Sequence, residues 1–325
     1  MLPTARELLR LAESTAYRVD TLEKVIRLVE LLSEIDRHPL LGNCLVLKGG
    51  TALNLCFGAP HRLSVDLDFN FIGAADRQQM LENRPLVEQA VEAIGRSQGY
   101  AVQRSAESHA SRKHYLSYRR LSDALADRLE VDVNYLHRVC ILPAQRGRIW
   151  RGGDEPGPQV ALLSWPEIAA GKLVALLDRA ATRDAWDVAR LPSLSAEVWP
   201  PKHLRPVFIA LAGTLPRPLY EYDQKRLDRI RDEDVTRLLH PMLLPNDRPG
   251  ANELREASWA VLEPLLSLTE PEREFCERLQ TGELKPELIF PANSDLADRV
   301  RHHPALRWKA RNAREHSEER DQNRR

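Results

Sequence analysis

The sequence predicts an α+β protein in which a mixed sheet flanked by helices is followed by a mainly helical C-terminal domain. Segments that alternate apolar and polar residues, as strands do, concentrate before residue 136. Between them lie longer stretches with the apolar spacing of three to four residues that helices show. A segment rich in glycine, proline and arginine follows at 147–159, and helical patterns dominate beyond it.

A chain of 325 residues exceeds the usual size of one domain, so we expect two. The predicted α+β domain covers residues 1–155, and the predicted helical domain covers residues 156–306. Residues 307–325 form a charged tail with seven Lys or Arg and four Asp or Glu. This composition is typical of a frayed helix or a disordered end.

The overall composition predicts a cytoplasmic globular protein with no membrane segment. Apolar residues make up 43% and charged residues 29%, and no apolar run approaches the ~18 residues that a membrane helix needs. The four cysteines show no paired spacing, which indicates reduced thiols rather than disulfides or a zinc site. With 47 basic and 47 acidic residues, no net charge draws the whole protein to nucleic acid.

One segment is nevertheless basic. Residues 101–151 carry ten Lys or Arg against five Asp or Glu. If these side chains lie on one surface, they form a groove that binds phosphates. The alternative is an ordinary solvated basic face, and the sequence does not separate the two.

Apolar spacing and glycine positions define the elements in order. In the first half, helices are predicted at 21–36, 51–57 and 76–97, and strands at 44–47, 64–71, 100–106, 113–120 and 128–135. In the second half, helices are predicted at 165–180, 203–214, 222–239, 252–267 and 271–280. Pro166 falls at a position that the first turn of a helix tolerates.

The strand at 64–71 carries two aspartates on one face. Asp66 and Asp68 alternate with apolar residues, so both carboxylates point to the polar side, about 6 to 7 Å apart along the strand. Two unpaired carboxylates repel unless a cation lies between them. Enzymes usually hold Mg²⁺ with one or two carboxylates and the phosphates of a substrate, so we predict Mg²⁺ here, with Mn²⁺ as the alternative.

The segment Lys48-Gly49-Gly50-Thr51 precedes this strand and joins a predicted strand to a predicted helix. Glycines at such a junction let backbone N–H groups approach an anion, and the helix N-terminus adds favourable partial charge. The four residues are therefore candidates for triphosphate binding. The alternative is a tight turn without a ligand, and no GxxxxGK[ST] motif is present.

A third carboxylate is expected from a neighbouring strand. Asp132 and Glu130 both lie on the polar side of the strand at 128–135, and we favour Asp132. Three carboxylates could hold two metal ions about 3.5 to 4 Å apart for attack on the α-phosphorus of a nucleotide. Asp132 would then help to activate the attacking hydroxyl. The alternative for Asp132 is an ordinary solvent-facing strand residue.

Lys172 is the most unusual charge in the second half, because apolar residues surround it at helical spacing. Triphosphate oxygens would provide the anionic partner that it needs. The alternative is a lysine whose stem packs while its ammonium reaches water. Asp184 and Asp187 follow on one face of the next segment and are candidates to orient Lys172 or to bind the nucleotide.

Two residues flank the paired aspartates. Arg62 is a candidate phosphate ligand, with an ordinary surface residue as the alternative. Ser64 shares the polar face and is a candidate nucleotide contact. A phosphate on Ser64 would add about two negative charges beside the metal ligands, so its modification is predicted to silence the protein.

Taken together, KGGTAL at 48–53, RLSVDLDF at 62–69 and a lysine-bearing helix that runs into RDAWD at 183–187 resemble one known family. These motifs are similar to those of the AbiEii/AbiGii-type nucleotidyltransferase toxins, including MenT-like toxins, within the DNA polymerase β-like superfamily. The resemblance covers about residues 45–190. It implies a nucleotidyltransferase sheet and the following roles: Gly49 and Gly50 for triphosphate, Asp66 and Asp68 for metal, Lys172 for phosphates and Asp184 as the late acid.

The resemblance also implies a function. It implies a toxin of a toxin–antitoxin or phage-defence module, paired with a cognate antitoxin that is often a winged-helix regulator. The implied reaction transfers a nucleoside monophosphate from an NTP to the 3′ acceptor end of tRNA, which blocks translation. Two alternatives stay open: transfer to a protein hydroxyl, and a non-catalytic module that only binds nucleotide. Intact Asp66, Asp68 and Lys172 argue against the latter.

Overall fold

The computed structural model describes residues 2–58, 60–106, 108, 110–153, 155–194 and 198–322. Within these ranges no helix is long and apolar enough to cross a membrane. The chain divides into two compact units by its internal contacts. The first unit comprises Met1–Arg138, Ala144–Leu163 and Glu233–Pro249, and the second comprises Val139–Pro143, Ser164–Asp232 and Gly250–Arg325. The units are thus discontinuous, whereas the ranges 1–155 and 156–306 predicted from the sequence are continuous.

A mixed sheet forms the centre of the first unit. Its strands are β1 (Leu45–Lys48), β2 (Asp66–Phe71), β3 (Ala101–Arg104), β4 (Ser111–Arg119), β5 (Ala126–Asn134), β6 (Gln145–Arg148) and β7 (Gln159–Leu162). They are arranged in the order β3-β4-β5-β2-β1-β7-β6. Strand β2 pairs with β5 in parallel and with β1 in antiparallel fashion, and β1 pairs with β7 in parallel. The two aspartate-bearing strands are therefore neighbours.

Helices cover one face of this sheet. The helices of the first unit are α1 (Ala5–Thr15), α2 (Val19–Arg37), α3 (Leu41–Cys44), α4 (Gly49–Cys56) and α5 (Arg77–Ser97). Helices α2 and α5 contact each other and the strands. Alternate residues of β2 and β5, such as Leu67, Phe69, Val131 and Val133, are at most 2% exposed. Burial of this apolar face leaves the polar face of the two strands for chemistry.

The second unit is helical. Its helices are α6 (Trp165–Arg179), α7 (Thr182–Leu194), α8 (Leu204–Ala212), α10 (Ala251–Leu266), α11 (Glu270–Gln280), α12 (Ser294–Arg301) and α13 (Pro304–Gln322). The short α9 (Asp232–Asp234) has one residue in this unit and two in the first. Helix α6 packs against α7 and α8, and α10 packs against α7. The predicted tail at 307–325 is helical as far as Gln322, and its last three residues lie outside the described ones.

The predicted fold class is confirmed, and the main differences occur where apolar spacing gives no signal. The predicted loop at 147–159 is bordered by β6 and β7, which form an antiparallel pair. Strand β6 reads QRGR and is mostly exposed at the sheet edge, so it lacks the apolar alternation that reveals strands. The predicted helix at 222–239 is wrong as a continuous element. A 3₁₀-helix at Gln224–Arg229 ends at the extended residue Ile230.

Glu167 lies within α6 and is 4% exposed. Its two carboxylate oxygens accept hydrogen bonds from the backbone N–H groups of Ile141 (3.2 Å) and Leu142 (2.9 Å). Burial raises the pKa of Glu167 to about 7, against an ordinary value of 4.5, although both hydrogen bonds oppose the shift. This one side chain ties the short segment Val139–Pro143 to the helical unit.

We predict that Glu167 makes stability depend on pH. The folded state binds the Glu167 proton more tightly than the unfolded state, so its contribution to the unfolding free energy falls as pH rises from about 4.5 to about 7. Thermal unfolding followed by circular dichroism should show a lower Tm at pH 8 than at pH 5. Glu167→Gln should reduce this pH dependence while lowering Tm overall, because an amide replaces one acceptor. An unchanged pH dependence in the variant would contradict the prediction.

Candidate active site

A row of four charged residues crosses four neighbouring strands of the first unit. Strand register places Lys48 of β1 opposite Asp68 of β2, Asp68 opposite Asp132 of β5, and Asp132 opposite Lys113 of β4. Residues that pair across strands point to the same face of a sheet, and neighbouring strands lie about 4.8 Å apart. Asp68 and Asp132 therefore lie side by side, with one lysine on each flanking strand. We call Asp68 and Asp132 the acidic row.

The next row holds a second acidic pair. Asp66 of β2 is in register with Glu130 of β5, and both lie on the same face as Asp68 and Asp132. Glu130 forms an ion pair with Lys113. The alternation at 64–71 and 128–135 thus gives the polar face that the sequence predicts.

Asp132 differs from Glu130 in its surroundings. Its Oδ1 atom is buried and has no hydrogen-bond partner among the described residues. Burial, followed by the charge of Asp68, raises the pKa of the Asp132 carboxyl, and Lys113 and Lys48 oppose this shift. A buried carboxylate oxygen without a partner is costly and indicates a place for a ligand or cation. Of the two candidates for a third carboxylate, Asp132 has the free oxygen.

Gly49 lies against Asp68. The glycine has φ +71°, and a Cβ atom built on it would lie 2.4 Å from Asp68 Oδ2. Any other residue would both strain the backbone and displace the carboxylate. Gly49 is therefore the residue that lets the start of α4 approach the acidic row.

The next glycine packs against the segment that precedes β2. A Cβ atom on Gly50 would lie 2.8 Å from Arg62 Nη2 and 2.9 Å from Ser64 Oγ. Thr51 Oγ1 donates to the backbone oxygen of Asp66 at 2.6 Å and lies 3.0 Å from Ser64 Oγ. Side chains of the glycine segment and of the 62–66 segment thus hold the first turn of α4 to the start of β2.

These contacts correct two expectations. Arg62 is 2% exposed and its Nη1 donates to Leu63 O at 2.9 Å, so the alternative of an ordinary surface residue is wrong. Ser64 precedes β2, which starts at Asp66, and is 5% exposed. Because the Ser64 hydroxyl is buried beside Thr51, a modifying enzyme could reach it only after local opening.

A second cluster of charges lies within the helical unit. Lys172 Nζ lies 3.2 Å from Asp184 Oδ1 and 2.7 Å from Asp187 Oδ2. The side chains are 8%, 1% and 0% exposed, so the alternative in which Lys172 reaches water is wrong. The ammonium already has carboxylate partners supplied by α7. The role predicted for Asp184 and Asp187 in orienting Lys172 fits this arrangement.

Arg179 adds a further charge to this cluster. Its Nε and Nη2 donate to Asp184 Oδ2 (2.5 Å) and Oδ1 (3.0 Å). Burial alone would raise the pKa of Asp184, but the charge of Lys172 and the hydrogen bonds of Arg179 more than offset it and hold the pKa below its ordinary value. Asp184 is therefore an ionised, buried anchor.

The acidic row fits a divalent cation through two carboxylates. In the described part of the chain, no three His, Cys, Asp or Glu side chains converge closely enough to hold a metal ion by themselves. Asp68 and Asp132 are adjacent, however, and Asp132 Oδ1 is unpartnered among the described residues. Mg²⁺ is usually held by one or two carboxylates, with substrate phosphates and water as the remaining ligands.

Sequence reasoning missed Lys113 and Arg179. Lys113 is predicted only as part of a basic segment, because its place beside Asp132 follows from the pairing of β4 with β5. Arg179 lies five residues before Asp184, across the break between α6 and α7. In the sequence, this pair is indicated by an arginine at the end of one helix and an aspartate near the start of the next.

Solved structures are similar to this chain in fold, and a family model matches its sequence. MenT4, a nucleotidyltransferase toxin of Mycobacterium tuberculosis, has a similar fold: the TM-score is 0.59 at 20% identity, over 92% of this chain and 98% of that one. Helicobacter pylori JHP933 matches with a TM-score of 0.46 at 18% identity, over 81% of this chain and 99% of that one. Comparison with curated proteins gives no match.

The family assignment comes from the sequence. Residues 30–263 match the family described as nucleotidyl transferase AbiEii toxin, type IV toxin–antitoxin system. The match covers more than half of the chain, so the protein belongs to this family and is a nucleotidyltransferase. The predicted family is confirmed, and the nucleotidyltransferase class agrees with an acidic row beside a glycine turn.

We predict that Gly49→Ala abolishes nucleotidyl transfer in a folded protein, because the new methyl group displaces Asp68. Gly99→Ala is the matched control. Gly99 also has positive φ, +84°, but a Cβ atom there meets nothing within 4 Å in the described part of the chain. Both variants should lose about 1 kcal/mol or slightly more of stability from backbone strain. Equal activity of the two variants would show that the Gly49–Asp68 contact is unimportant.

We predict that Lys172→Met destabilises the helical unit by about 3 to 5 kcal/mol, because it leaves buried carboxylates without their shared cation. Adding Asp187→Asn should recover part of this loss, since Arg179 and Asp184 then balance each other again. Urea unfolding of the single and double variants measures both effects. If Lys172→Met unfolds at the wild-type urea concentration, the cluster is not a stabilising element.

Proposed function

We propose that this protein is a cytoplasmic toxin that transfers a nucleoside monophosphate from an NTP to the 3′ end of tRNA, with Mg²⁺ as its metal. It would belong to a toxin–antitoxin or phage-defence module, and its partner would be a cognate antitoxin of the winged-helix regulator type. The main support for the catalytic proposal is that Asp68 and Asp132 lie in register beside Gly49. Asp132 Oδ1 is buried there and has no hydrogen-bond partner among the described residues.

Two further points support this proposal. Membership in a family of nucleotidyltransferase toxins supports an NTP substrate and an antitoxin partner. The name of MenT4, a nucleotidyltransferase toxin, agrees with this reaction class. The choice of tRNA rests on the motif resemblance and on part of the basic segment 101–151. Lys113, Arg119 and Arg128 of this segment share one face of the sheet. Arg104 and Arg112 pair with Glu88 on the other side, so the segment as a whole does not form one surface.

The chemistry divides among a few residues of this chain. The terminal 3′ oxygen bonds to the α-phosphorus, the bond between that phosphorus and the bridging oxygen to the β-phosphorus breaks, and pyrophosphate leaves. Asp132 accepts the hydroxyl proton in this proposal, and the Gly49–Gly50 turn binds phosphate oxygens through backbone N–H groups. Asp68 and Asp132 would hold Mg²⁺, with Asp66 of the next row as a further candidate ligand. When bound, the ion neutralises phosphate charge and polarises the phosphoryl group. The three carboxylates expected from the sequence do not converge on one position in the described part of the chain. Lys48, Thr51, Arg62 and Ser64 line or support the turn.

Lys172, Asp184 and Asp187 are proposed to serve the same reaction. The positive charge of Lys172 would stabilise the leaving phosphates, and the two aspartates would set the orientation of its ammonium. Because a buried cation with two carboxylate partners is also a structural feature, activity has to be measured separately from stability.

We predict that purified protein incubated with total tRNA, Mg²⁺ and each labelled NTP in turn incorporates label into RNA. Asp68→Asn and Asp132→Asn should each reduce incorporation by at least about 100-fold, because each removes a negative ligand from the acidic row. Asp127→Asn is the matched control. Asp127 also lies on β5, but an odd number of positions separates it from Asp132, so it points to the opposite face of the sheet. It pairs there with Lys24 at 2.7 Å.

The outcomes of this assay separate the functions. Label in protein instead of RNA would replace the tRNA acceptor with a protein hydroxyl. No label in either fraction, together with equal growth inhibition by wild type and an Asp66→Ala/Asp68→Ala double variant, would leave a nucleotide-binding module. Equal activity of Asp127→Asn and Asp68→Asn would show that the acidic row has no role in catalysis.

A further inference from the structure

The polar face of the sheet continues beyond the acidic row, across β5, β4 and β3. Strand register places Tyr115 opposite Glu130, Ser117 opposite Arg128, and Gln103 opposite Tyr115. All of these residues share the face that carries Asp68 and Asp132. We call the group of Gln103, Tyr115, Ser117, Arg119 and Arg128 the open face.

The open face is accessible. Gln103, Ser117, Arg119 and Arg128 are exposed, and Tyr115 is partly exposed. Their immediate neighbours along each strand are oriented the other way: His114, Leu116 and Tyr118 of β4 are buried on the side that α5 and α2 cover. The open face is therefore a solvent-exposed surface of the sheet, which suits a ligand that lies across it.

The open face carries unbalanced positive charge. Lys113, which lies opposite Asp132, forms an ion pair with Glu130 and adds no net charge. In the described part of the chain, no carboxylate pairs with Arg119 or Arg128. Arg119 Nη1 donates to the backbone oxygen of Ala124 at 3.0 Å, which fixes that guanidinium at the β4–β5 turn. Two guanidinium groups that have no carboxylate partner in the described part of the chain attract a polyanion.

An aromatic ring and a guanidinium plane lie together at the centre of this surface. The Arg128 guanidinium carbon is 4.8 Å from the centre of the Tyr115 ring. Bases of single-stranded nucleic acid stack on tyrosine rings and on arginine planes, and sheets that carry such groups are common platforms for RNA. A nucleic-acid strand offers both a base for this ring and phosphates for the two cations, whereas a peptide acceptor would match the cations only if it were acidic.

The open face lies next to the acidic row. Each step of two residues along β5 adds about 6 to 7 Å, so Tyr115 lies one step and Arg128 two steps from the row that contains Asp132. A strand that has its terminal hydroxyl at Asp132 and runs along β5 towards Ala126 would place its preceding nucleotides over these side chains.

We propose that the open face binds the single-stranded 3′ segment of the RNA acceptor, with one base stacked against Tyr115 and Arg128 and a phosphate bound by Arg119. This inference rests on the proposed function, because it names the surface that receives the acceptor. It concerns the nucleotides that precede the reacting one, and these three residues take no part in the chemical step.

The first test measures binding without catalysis. Fluorescence anisotropy of a labelled single-stranded RNA of about ten nucleotides, with no NTP present, compares wild type with Tyr115→Ala, Tyr115→Phe and Arg128→Ala. We expect Tyr115→Ala and Arg128→Ala to weaken binding by about 5- to 100-fold, the effect of losing one stacked base. Tyr115→Phe keeps the ring and should bind within about twofold of wild type.

Arg119→Ala should lower the slope of log affinity against log salt concentration by about 0.7, as expected for one lost phosphate contact to a single strand. Arg77→Ala is the matched control, since Arg77 is an exposed arginine at the start of α5. It should change neither affinity nor slope. Equal effects of Arg77→Ala and Arg119→Ala would reduce the surface to nonspecific charge and overturn the assignment.

The second test separates this inference from the proposed function. If wild type labels tRNA and Tyr115→Ala raises the KM for tRNA with an unchanged KM for NTP, the open face is the acceptor surface. If tRNA labelling persists with wild-type KM in Tyr115→Ala and Arg128→Ala, the open face is wrong while the proposed function stands. If wild type labels only protein and binds no RNA, both are wrong. If it labels only protein while its RNA affinity depends on Tyr115, the open face binds an RNA that is not the acceptor, and both the proposed function and this inference are overturned.

Discussion

Electrostatic repulsion between Asp68 and Asp132 is the constraint on which the first unit depends. Parallel pairing of β2 with β5 holds the two carboxylates one strand spacing apart, and Gly49 presses against the first of them. Burial and mutual repulsion raise the pKa of Asp132, and its Oδ1 has no partner within the described structure. A fold that holds such an arrangement gives up stability at this place, and a cation between the two carboxylates would relieve the repulsion.

The helix-covered side of the sheet keeps that arrangement in register. Arg84 of α5 pairs with Glu88 at 2.8 Å, and Arg112 of β4 reaches the same Glu88 oxygen at 3.2 Å. Glu88 is 3% exposed, so these charges are held where misplacement is costly. A slip of β4 by one residue would turn Arg112 outward and bring Lys113 inward. The buried ion pairs thereby fix which side chains of β4 join the acidic row and the open face.

The helical unit uses charge in another way. Lys172, Asp184, Asp187 and Arg179 form a compact group with the cations and carboxylates in direct contact. Each ion compensates another, so the group is stable without a ligand, unlike the acidic row. Replacing Lys172 or either aspartate changes stability as well as any catalytic role. A loss of activity in such a variant therefore has to be compared with its loss of stability.

The sequence by itself determined the period-two alternation of β2 and β5, the glycine turn before α4, the helical spacing of α2 and α6, and through these the fold class and the acidic candidates. Alternation is local, so it fixes which face a carboxylate takes. It does not fix which residue lies opposite, because register depends on pairing between distant segments. Only the tertiary structure decided that Asp132 rather than Glu130 keeps a free oxygen and that Lys113 borders the acidic row. It also decided that Arg62 is buried and that Lys172 has carboxylate partners, since burial and ion pairing arise from packing between segments far apart in the chain.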